Sequence, residues 1–141
     1  MAETIVIRTA NPGDITLEEV EVVAKAIRDL RLNCDVQVEG QQREGYGATW
    51  FEILRIALLG GAFGVGKVFA EEVAKKVADI AVDWARGRFR GRKSASKRPV
   101  YVAIYGPDGV VKSVVIRNAT DEPEDHTEED QRLARKASRK Q

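Results

Sequence analysis

The strongest chemical signal in the sequence is a glycine-rich stretch near the middle of the chain. The residues Gly61-Ala62-Phe63-Gly64-Val65-Gly66-Lys67 fit G-x-x-x-x-G-K, the first seven positions of a phosphate-binding P-loop. The eighth position is Val68, so the Ser or Thr hydroxyl that would hold Mg²⁺ is absent. No apolar strand ending in Asp follows to complete a metal site. We therefore expect a glycine-rich hinge, and keep nucleotide-phosphate binding through Gly61, Gly66 and Lys67 as an alternative.

The remaining candidates for catalysis are few. His126 is the only histidine and lies in an acidic segment, while Cys34, the only cysteine, begins a predicted strand. No set of His, Cys and carboxylate residues has the spacing of metal ligands, and no nucleophile–base pair is visible. The sequence therefore predicts a protein that is not an enzyme and has no cofactor, no metal and no small-molecule substrate.

A basic block runs from Arg86 to Arg98, with seven basic and no acidic residues. Such a block can contact phosphate groups of nucleic acid or of an anionic membrane surface. Phe89 is its only aromatic residue, so base stacking is not indicated and nucleic acid is not the favoured partner. The other interpretation is a solvated linker within the domain. The candidate phosphate contacts are Arg86, Arg88, Arg90, Arg92 and Lys93.

An apolar run precedes the glycine-rich stretch and continues through it. Nearly every position from Ile56 to Gly66 is apolar, which is more than one helical stripe can bury. These eleven uncharged residues are fewer than the roughly 20 that a membrane-spanning helix needs. The run could bind a partner, insert shallowly into a membrane interface, or fill the core beneath a sheet. Its candidate contact residues are Trp50, Phe51, Leu54, Leu58 and Phe63.

A ridge of small residues extends this candidate interaction surface into the next helix. Its members lie four residues apart, which suits close approach of another backbone: Ala62, Gly66, Ala70, Ala74 and Ala78. The four glycines between Gly60 and Gly66 would together cost about 4 kcal/mol inside a helix. An unbroken helix from Ala48 to Phe89 would also be about 60 Å long, far beyond the width of a small sheet. We therefore predict a long helical segment that breaks near Gly60–Gly66.

The other elements are indicated by periodicity and by turn chemistry. Thr16 and Glu19 form a capping-box pattern at the start of a helix that Asn33 can end in a left-handed conformation. Gly106-Pro107-Asp108-Gly109 predicts a hairpin turn. Strands are predicted over 4–9, 34–39, 100–105 and 110–117. The result is an α+β fold in the order β-α-β-α-α-β-β, with a small mixed four-stranded sheet and the helices on one face.

Length and charge predict one domain over residues 1–120, with the basic linker at 86–98 inside it. Residues 121–130 carry seven acidic side chains and residues 131–141 five basic ones, which is typical of a disordered, self-neutralising tail. The net charge of +1 gives no general argument for nucleic acid. With a single cysteine and no secretory pattern at the start, we expect a cytoplasmic protein, or one on the inner face of a membrane.

Together these patterns predict a non-enzymatic binding or assembly module that acts through its central apolar helical segment. We expect an oligomer or an accessory subunit, whose partner is a second copy or another protein. One alternative is a peripheral membrane protein that combines the apolar segment with the basic block. The other is the nucleotide-phosphate-binding protein considered above. The burial of Leu54, Leu58 and Phe63 discriminates between these interpretations, because a side chain inside the core cannot contact a partner.

Overall fold

The computed structural model describes residues 3–9, 15–39, 51–91 and 98–139 of the chain. Six strands are present in this part: β1 (Glu3–Thr9), β2 (Cys34–Val38), β3 (Glu52–Leu59), β4 (Val100–Gly106), β5 (Gly109–Ile116) and β6 (Glu124–Asp125). Four helices accompany them: α1 (Leu17–Arg28), α2 (Gly61–Val65), α3 (Lys67–Gly91) and α4 (Thr127–Arg139).

The strands form one mixed sheet in the order β2-β1-β3-β4-β5-β6. The pairs β1–β2 and β3–β4 are parallel, whereas β1–β3, β4–β5 and β5–β6 are antiparallel. A helical crossover connects the two strands of each parallel pair, through α1 in the first and through α2 and α3 in the second. The α+β class is therefore confirmed, but the sheet has six strands instead of the four that were predicted. The helices do not all lie on one face as predicted, because α4 binds Tyr101 and Ser113 on the face away from α1 and α3.

The largest correction concerns β3, which occupies the segment predicted to begin the central helix. Glu52, Leu54, Ile56 and Leu58 are buried and alternate with half-buried residues, so the segment has the period of a strand. It lies between β1 and β4 in the middle of the sheet. A central strand is covered on both faces and is apolar nearly throughout, so its periodicity resembles that of a buried helix.

The helical break predicted near Gly60–Gly66 is present, although it separates shorter elements than expected. Gly66 has an extended backbone conformation between α2 and α3. Because the strand takes up residues 52–59, the remaining helix α3 has 25 residues and is about 37 Å long.

The core lies between one face of the sheet and the helices α1 and α3. Leu54, Ile56 and Leu58 of β3 are fully buried there beside Ile5 and Ile7 of β1. From α3 the core receives a row of small and branched side chains: Ala70, Val73, Ala74, Val77, Ala78, Ala81 and Ala85.

The local predictions for the start of α1 and for the β4–β5 hairpin turn agree with the structure. Thr16 caps α1, and its side chain and that of Glu19 form both halves of the capping box. The helix ends at Arg28, earlier than predicted, but Asn33 does adopt a left-handed conformation with φ of 59°. Gly109 has φ of 119° at the end of the β4–β5 turn, as the glycine in the predicted bulge position requires.

The segment predicted to be a disordered tail contains regular structure. Glu124 and Asp125 of β6 pair with Val115 and Val114 of β5, and α4 follows directly. The acidic residues at the start of α4 and the basic residues near its end complement the helix dipole, which stabilises a helix of very polar composition.

Candidate interaction site at the α2 knee

The chain reverses direction between β3 and α3 through a compact turn, which we call the α2 knee and define as residues 59–68. Gly60 begins it with φ of 134°, a conformation that side chains other than glycine rarely adopt. A Cβ atom at this position would lie 1.6 Å from Oε2 of Glu3. The start of the knee therefore requires glycine for both conformation and space.

The inner side of the knee is anchored in the core. Phe63 is buried and stacks on Phe69 of α3, with 5.0 Å between the ring centroids and 11° between the planes. Gly64 faces Pro107 of the β4–β5 turn, where an added Cβ atom would reach ordinary van der Waals distance of 3.8 Å from Cγ. The stacking of Phe63 on Phe69 is therefore the contact that anchors the short helix α2.

The outer side of the knee is apolar and exposed. Val65 is 91% exposed and Val68 is 69% exposed, while Leu59 is about half exposed at the end of β3. Ala62 is exposed beside them. No charged residue occurs from Ile56 to Gly66, and Lys67 is the one charged residue of the knee sequence. The knee therefore presents exposed apolar side chains on both sides of Lys67 in the sequence.

A groove of about 530 Å³ lies beside the knee, at the end of the sheet where β4 turns into β5. Its floor is apolar, formed by Phe63, Ala70 and Val111, and its rim carries the charged side chains of Glu71 and Arg135. Asp108, Gln131 and Ala134 complete the walls. An apolar floor with a polar rim can accept an apolar side chain of a partner. The groove contains no arrangement of acid, base and nucleophile.

Most of the interaction surface predicted from the sequence lies inside the core of one chain, which corrects that prediction. Leu54 and Leu58 point from β3 toward the helices, and Phe63 is anchored as described above. The ridge residues Ala70, Ala74 and Ala78 are buried too, because the small-residue face of α3 packs within the same chain. Phe51 and Gly66 are half-buried, Ala62 is exposed, and Trp50 lies outside the described residues.

The partial P-loop has the strand before it and the helix after it that the motif requires. Its middle residues are nevertheless helical. Within the motif, the N–H groups of Phe63 and Gly66 donate to the carbonyl groups of Gly60 and Ala62, at 3.2 and 3.0 Å. These two amides are therefore not available to wrap a phosphate, as the backbone of a P-loop must. Gly61 and Gly66 stand at the two ends of α2, and Lys67 begins α3.

The first part of the basic block belongs to α3, not to a linker. The side chain of Arg88 is only 8% exposed and forms ion pairs with Glu52 and with Glu19, the latter at 2.5 Å. Its guanidinium also lies 5.8 Å from the centre of the Trp84 ring. Arg88 is therefore a structural residue and not a phosphate contact, which corrects the prediction. Arg88 lies in the interior because Glu52, a carboxylate buried at the start of β3, requires a cation nearby.

The other residues of the block have different positions. Arg86 donates to the carbonyl oxygen of Asp121 at 3.0 Å, and Arg90 is exposed at the end of α3. Arg92 and Lys93 lie outside the described residues. The knee and Arg90 lie at opposite ends of α3, which is about 37 Å long. The exposed face between them has mixed charge, with Glu71, Glu72, Lys75, Lys76, Asp79 and Asp83. Among the described residues, the two parts of the predicted membrane-binding surface are therefore separated by the length of the helix.

The isolated candidates for metal binding or catalysis remain isolated. Among the described residues, no group of three or more His, Cys, Asp and Glu side chains could hold a metal ion. Burial, with a smaller contribution from the nearby Glu3, raises the pKa of the Cys34 thiol, which disfavours the reactive thiolate. His126 has Glu124 at 3.7 Å and Glu129 at 3.6 Å. None of the helices described in 3–139 has both the length and the apolar character needed to cross a membrane.

A polar cluster that the sequence did not indicate joins α4 to the sheet. Asp130 accepts hydrogen bonds from the hydroxyl groups of Tyr101 and Ser113, the second at 2.6 Å. Tyr101 and Ser113 lie on the sheet face away from α1 and α3. The residues come from three distant parts of the sequence, so no local pattern brings them together. The one available signal in the sequence was the charge pattern of 127–139, which is acidic at its start and basic at its end. That pattern indicates only a helix.

Comparison with known proteins gave no significant match to a protein family, to a curated protein or to a solved structure. The site is therefore interpreted from its own residues and geometry.

Proposed function

We propose that this protein is a non-enzymatic binding module whose contact surface is the α2 knee together with the adjacent groove. The partner is a protein, either a second copy of the chain or a different one. The observation that carries the proposal is the exposure of two neighbouring apolar side chains, 91% for Val65 and 69% for Val68, on a tip that the core holds in place.

Single exposed apolar residues are common on proteins and need no explanation. The knee differs because Leu59, Ala62, Val65 and Val68 are all exposed within ten residues, among which Lys67 is the only charged residue. Burial of apolar surface stabilises association by roughly 25 cal/mol per Å² before the entropic costs of binding are subtracted. An ordered tip of this kind lowers those costs, since the stacked Phe63 and Phe69 already fix its conformation.

The charges around the groove favour a protein over an anionic membrane. Glu71 and Asp108 contribute two carboxylates to the groove walls, and Arg135 contributes one cation. A polar rim of mixed charge around an apolar centre is typical of protein interfaces. A membrane surface rich in anionic lipid would repel the two carboxylates next to the inserting tip.

The double variant Val65→Asp/Val68→Asp tests the proposal, because two carboxylates on the tip should abolish contact without touching the core. Val22→Asp is the matched control: Val22 is 61% exposed, but it lies on α1, away from the knee. Sedimentation velocity over a wide concentration range measures self-association, and affinity capture with quantitative mass spectrometry measures binding of other proteins.

We expect wild type and Val22→Asp to associate or retain the same partner, and the double variant to lose it while keeping its melting temperature. The proposal is wrong if the wild-type chain stays monomeric and the double variant captures every protein that wild type captures equally well.

A further inference from the structure

The C-terminal segment is held to the sheet by hydrogen bonds and by the ion pair of Asp125 with Lys112 at 3.0 Å, and the apolar surface that its docking buries belongs to the sheet. No side chain between 127 and 136 of α4 is buried, and its one large apolar residue, Leu133, is exposed. Beneath it, Ser113 and Val115 of β5 are fully buried. Asp130 receives the hydroxyl hydrogen bonds of Tyr101 and Ser113 described above. The segment therefore covers the sheet without contributing an apolar face of its own to the core.

Along part of the outer edge of β5, residues of this segment form the hydrogen bonds that a neighbouring strand would otherwise form. β6 pairs with only two residues of β5, Val114 and Val115. Beyond that pair, the amide of Ser113 donates to Oγ1 of Thr127 at 3.0 Å, and the carbonyl oxygen of Ser113 accepts from the amide of His126 at 2.9 Å. Nε2 of Gln131 donates to the carbonyl oxygen of Val110 at 2.8 Å. Four residues of β5 are thus covered mainly by hydrogen bonds from a helix and its cap.

The opposite edge of the sheet is protected in a different way. Nη2 of Arg28 donates to the carbonyl oxygen of Val36 on β2 at 2.8 Å. Arg28 is the last residue of α1, and α1 is anchored in the core through Val20, Val23 and Ile27. The donor at that edge thus belongs to a helix with buried apolar residues, whereas the described side chains of α4 that cover β5 are not buried.

We propose that residues 118–139, comprising β6 and α4 and here called the strap, undock from β5 as a unit while the remainder of the sheet stays folded. Undocking uncovers the outer edge of β5 from Val110 to Val115. It also removes the groove wall formed by Gln131, Ala134 and Arg135, and so opens the groove beside the knee. This inference concerns the strap alone and does not depend on the proposed function of the knee.

The connection between β5 and β6 supports movement of the strap as a unit. Oδ1 of Asn118 accepts hydrogen bonds from the amides of Thr120 and Asp121, so the turn is stabilised within itself. Its one described link to the helices is the hydrogen bond from Arg86 to the carbonyl oxygen of Asp121. Local openings of this kind occur where few apolar contacts hold a segment to the rest of the fold. A bare strand edge pairs readily with other strands, so the strap would control the exposure of a reactive surface.

Hydrogen exchange of the full-length chain, resolved to individual amides by NMR, tests the inference. We expect the α4 amides and the Ser113 amide to exchange at least about 100-fold faster than the amides of β1 and β3, because undocking requires less free energy than global unfolding. Asp130→Ala should accelerate exchange at Ser113 by about a further ten-fold, as loss of hydrogen bonds worth roughly 1.4 kcal/mol would do. Rates in β1 and β3 should stay unchanged.

Glu128→Ala is the matched control. Glu128 lies in the same first turn as Asp130 and interacts equally with the helix dipole, but it is exposed, and none of the described contacts joins it to the sheet. This substitution should leave exchange at Ser113 within about two-fold of wild type, since it removes no docking contact.

A chain ending at Thr120 provides a second, independent measurement. It should keep the strands β1 to β5, with a melting temperature less than about 10 °C below that of wild type, since truncation removes none of the described buried side chains and uncovers Val115. The inference is overturned if the α4 amides exchange only at the rate of the β3 amides. A drop of well over about 10 °C in the truncated chain would overturn it too, because the strap would then be part of the cooperative core.

Discussion

Arg88, near the end of α3, forms an ion pair with Glu52, the first residue of β3. Both side chains are almost inaccessible to water, 8% exposed for Arg88 and 3% for Glu52. Glu19 in the first turn of α1 binds the same guanidinium, and Arg98 lies 3.8 Å from Glu52. Two helices and the central strand thus meet at one buried cluster of charges. The end of α3, which the sequence suggested as part of a linker, is in this way fixed to the centre of the sheet.

Replacement of Arg88 by Met should destabilise the fold strongly. Loss of Arg88 leaves the buried Glu52 with Arg98 at 3.8 Å as its remaining cation, and removing one partner of a buried ion pair typically costs about 3–5 kcal/mol. Urea denaturation followed by circular dichroism measures the change in the free energy of unfolding. Arg90→Met is the control, because Arg90 is exposed on the same helix and should change stability by less than about 0.5 kcal/mol. Equal effects at the two positions would contradict a structural role for Arg88.

The double variant Arg88→Met/Glu52→Met should recover most of the stability that Arg88→Met loses. Replacing a buried ion pair by apolar residues of similar volume is often neutral or stabilising, whereas breaking it is not. A double variant as unstable as the single one would mean that packing around Arg88, and not the charge on Glu52, sets the cost.

The small-residue ridge gives a second prediction, which contrasts two of its members. Ala74→Leu should cost about 1–3 kcal/mol, because Ala74 is buried and a larger side chain overpacks the core. Ala62→Leu should be nearly neutral for stability, because Ala62 is exposed on the knee. Thermal unfolding of both variants at one protein concentration measures the difference. If Ala74→Leu leaves the melting temperature unchanged, the space around α3 is larger than the structure indicates.

Nucleotide should not bind tightly at Gly61–Lys67. The amides of Phe63 and Gly66 are already hydrogen-bonded, and Val68 offers no hydroxyl group to Mg²⁺. Isothermal titration with ATP and GTP, with and without Mg²⁺, should give no saturable binding below about millimolar concentrations. A micromolar dissociation constant that disappears in Lys67→Ala would reverse this conclusion, and would show that α2 unwinds to receive the phosphates.

Tyr101 should ionise later than an ordinary tyrosine. Burial, and then its hydrogen bond to Asp130, raise the pKa of the phenol well above its usual value of about 10. Since the folded-state pKa is the raised one, its contribution to stability is complete below about pH 10 and is lost as the pH rises above that value. Ultraviolet absorbance of tyrosinate should therefore show a late step that Tyr101→Phe removes. Asp130→Asn should shift that step to lower pH, and an unchanged titration would argue against the hydrogen bond.

Local signals in the sequence were sufficient wherever a few neighbouring residues decide the backbone. The capping box at Thr16 and Glu19 and the β4–β5 turn with Gly109 formed as predicted, whereas Asn33 is left-handed but does not end the helix. In each case the donor, the acceptor or the permissive glycine lies within four residues of its partner. Such interactions form largely independently of the rest of the chain, so their pattern is visible in the sequence.

Residues 52–59 show the limit of this information. The sequence identifies the segment as buried and apolar, but a strand covered on both faces and a buried helix share that composition. The choice depends on β1 and β4, which supply hydrogen-bonding edges on the two sides of β3 and are contributed by residues about 50 positions away in each direction. Because residues 52–59 form a strand, Leu54 and Leu58 are core residues, and the exposed apolar side chains are those of Val65 and Val68.

The sequence by itself therefore determined the α+β class, four of the strands, the start of α1, the hairpin and the break at Gly66, because each follows from periodicity or turn chemistry. Only the tertiary structure decided that Arg88 is buried against Glu52 and that Asp130 meets Tyr101 and Ser113. The physical reason is the same in both cases. A charged or polar side chain takes its role from the partner it meets, and these partners are between 17 and 36 residues distant along the chain.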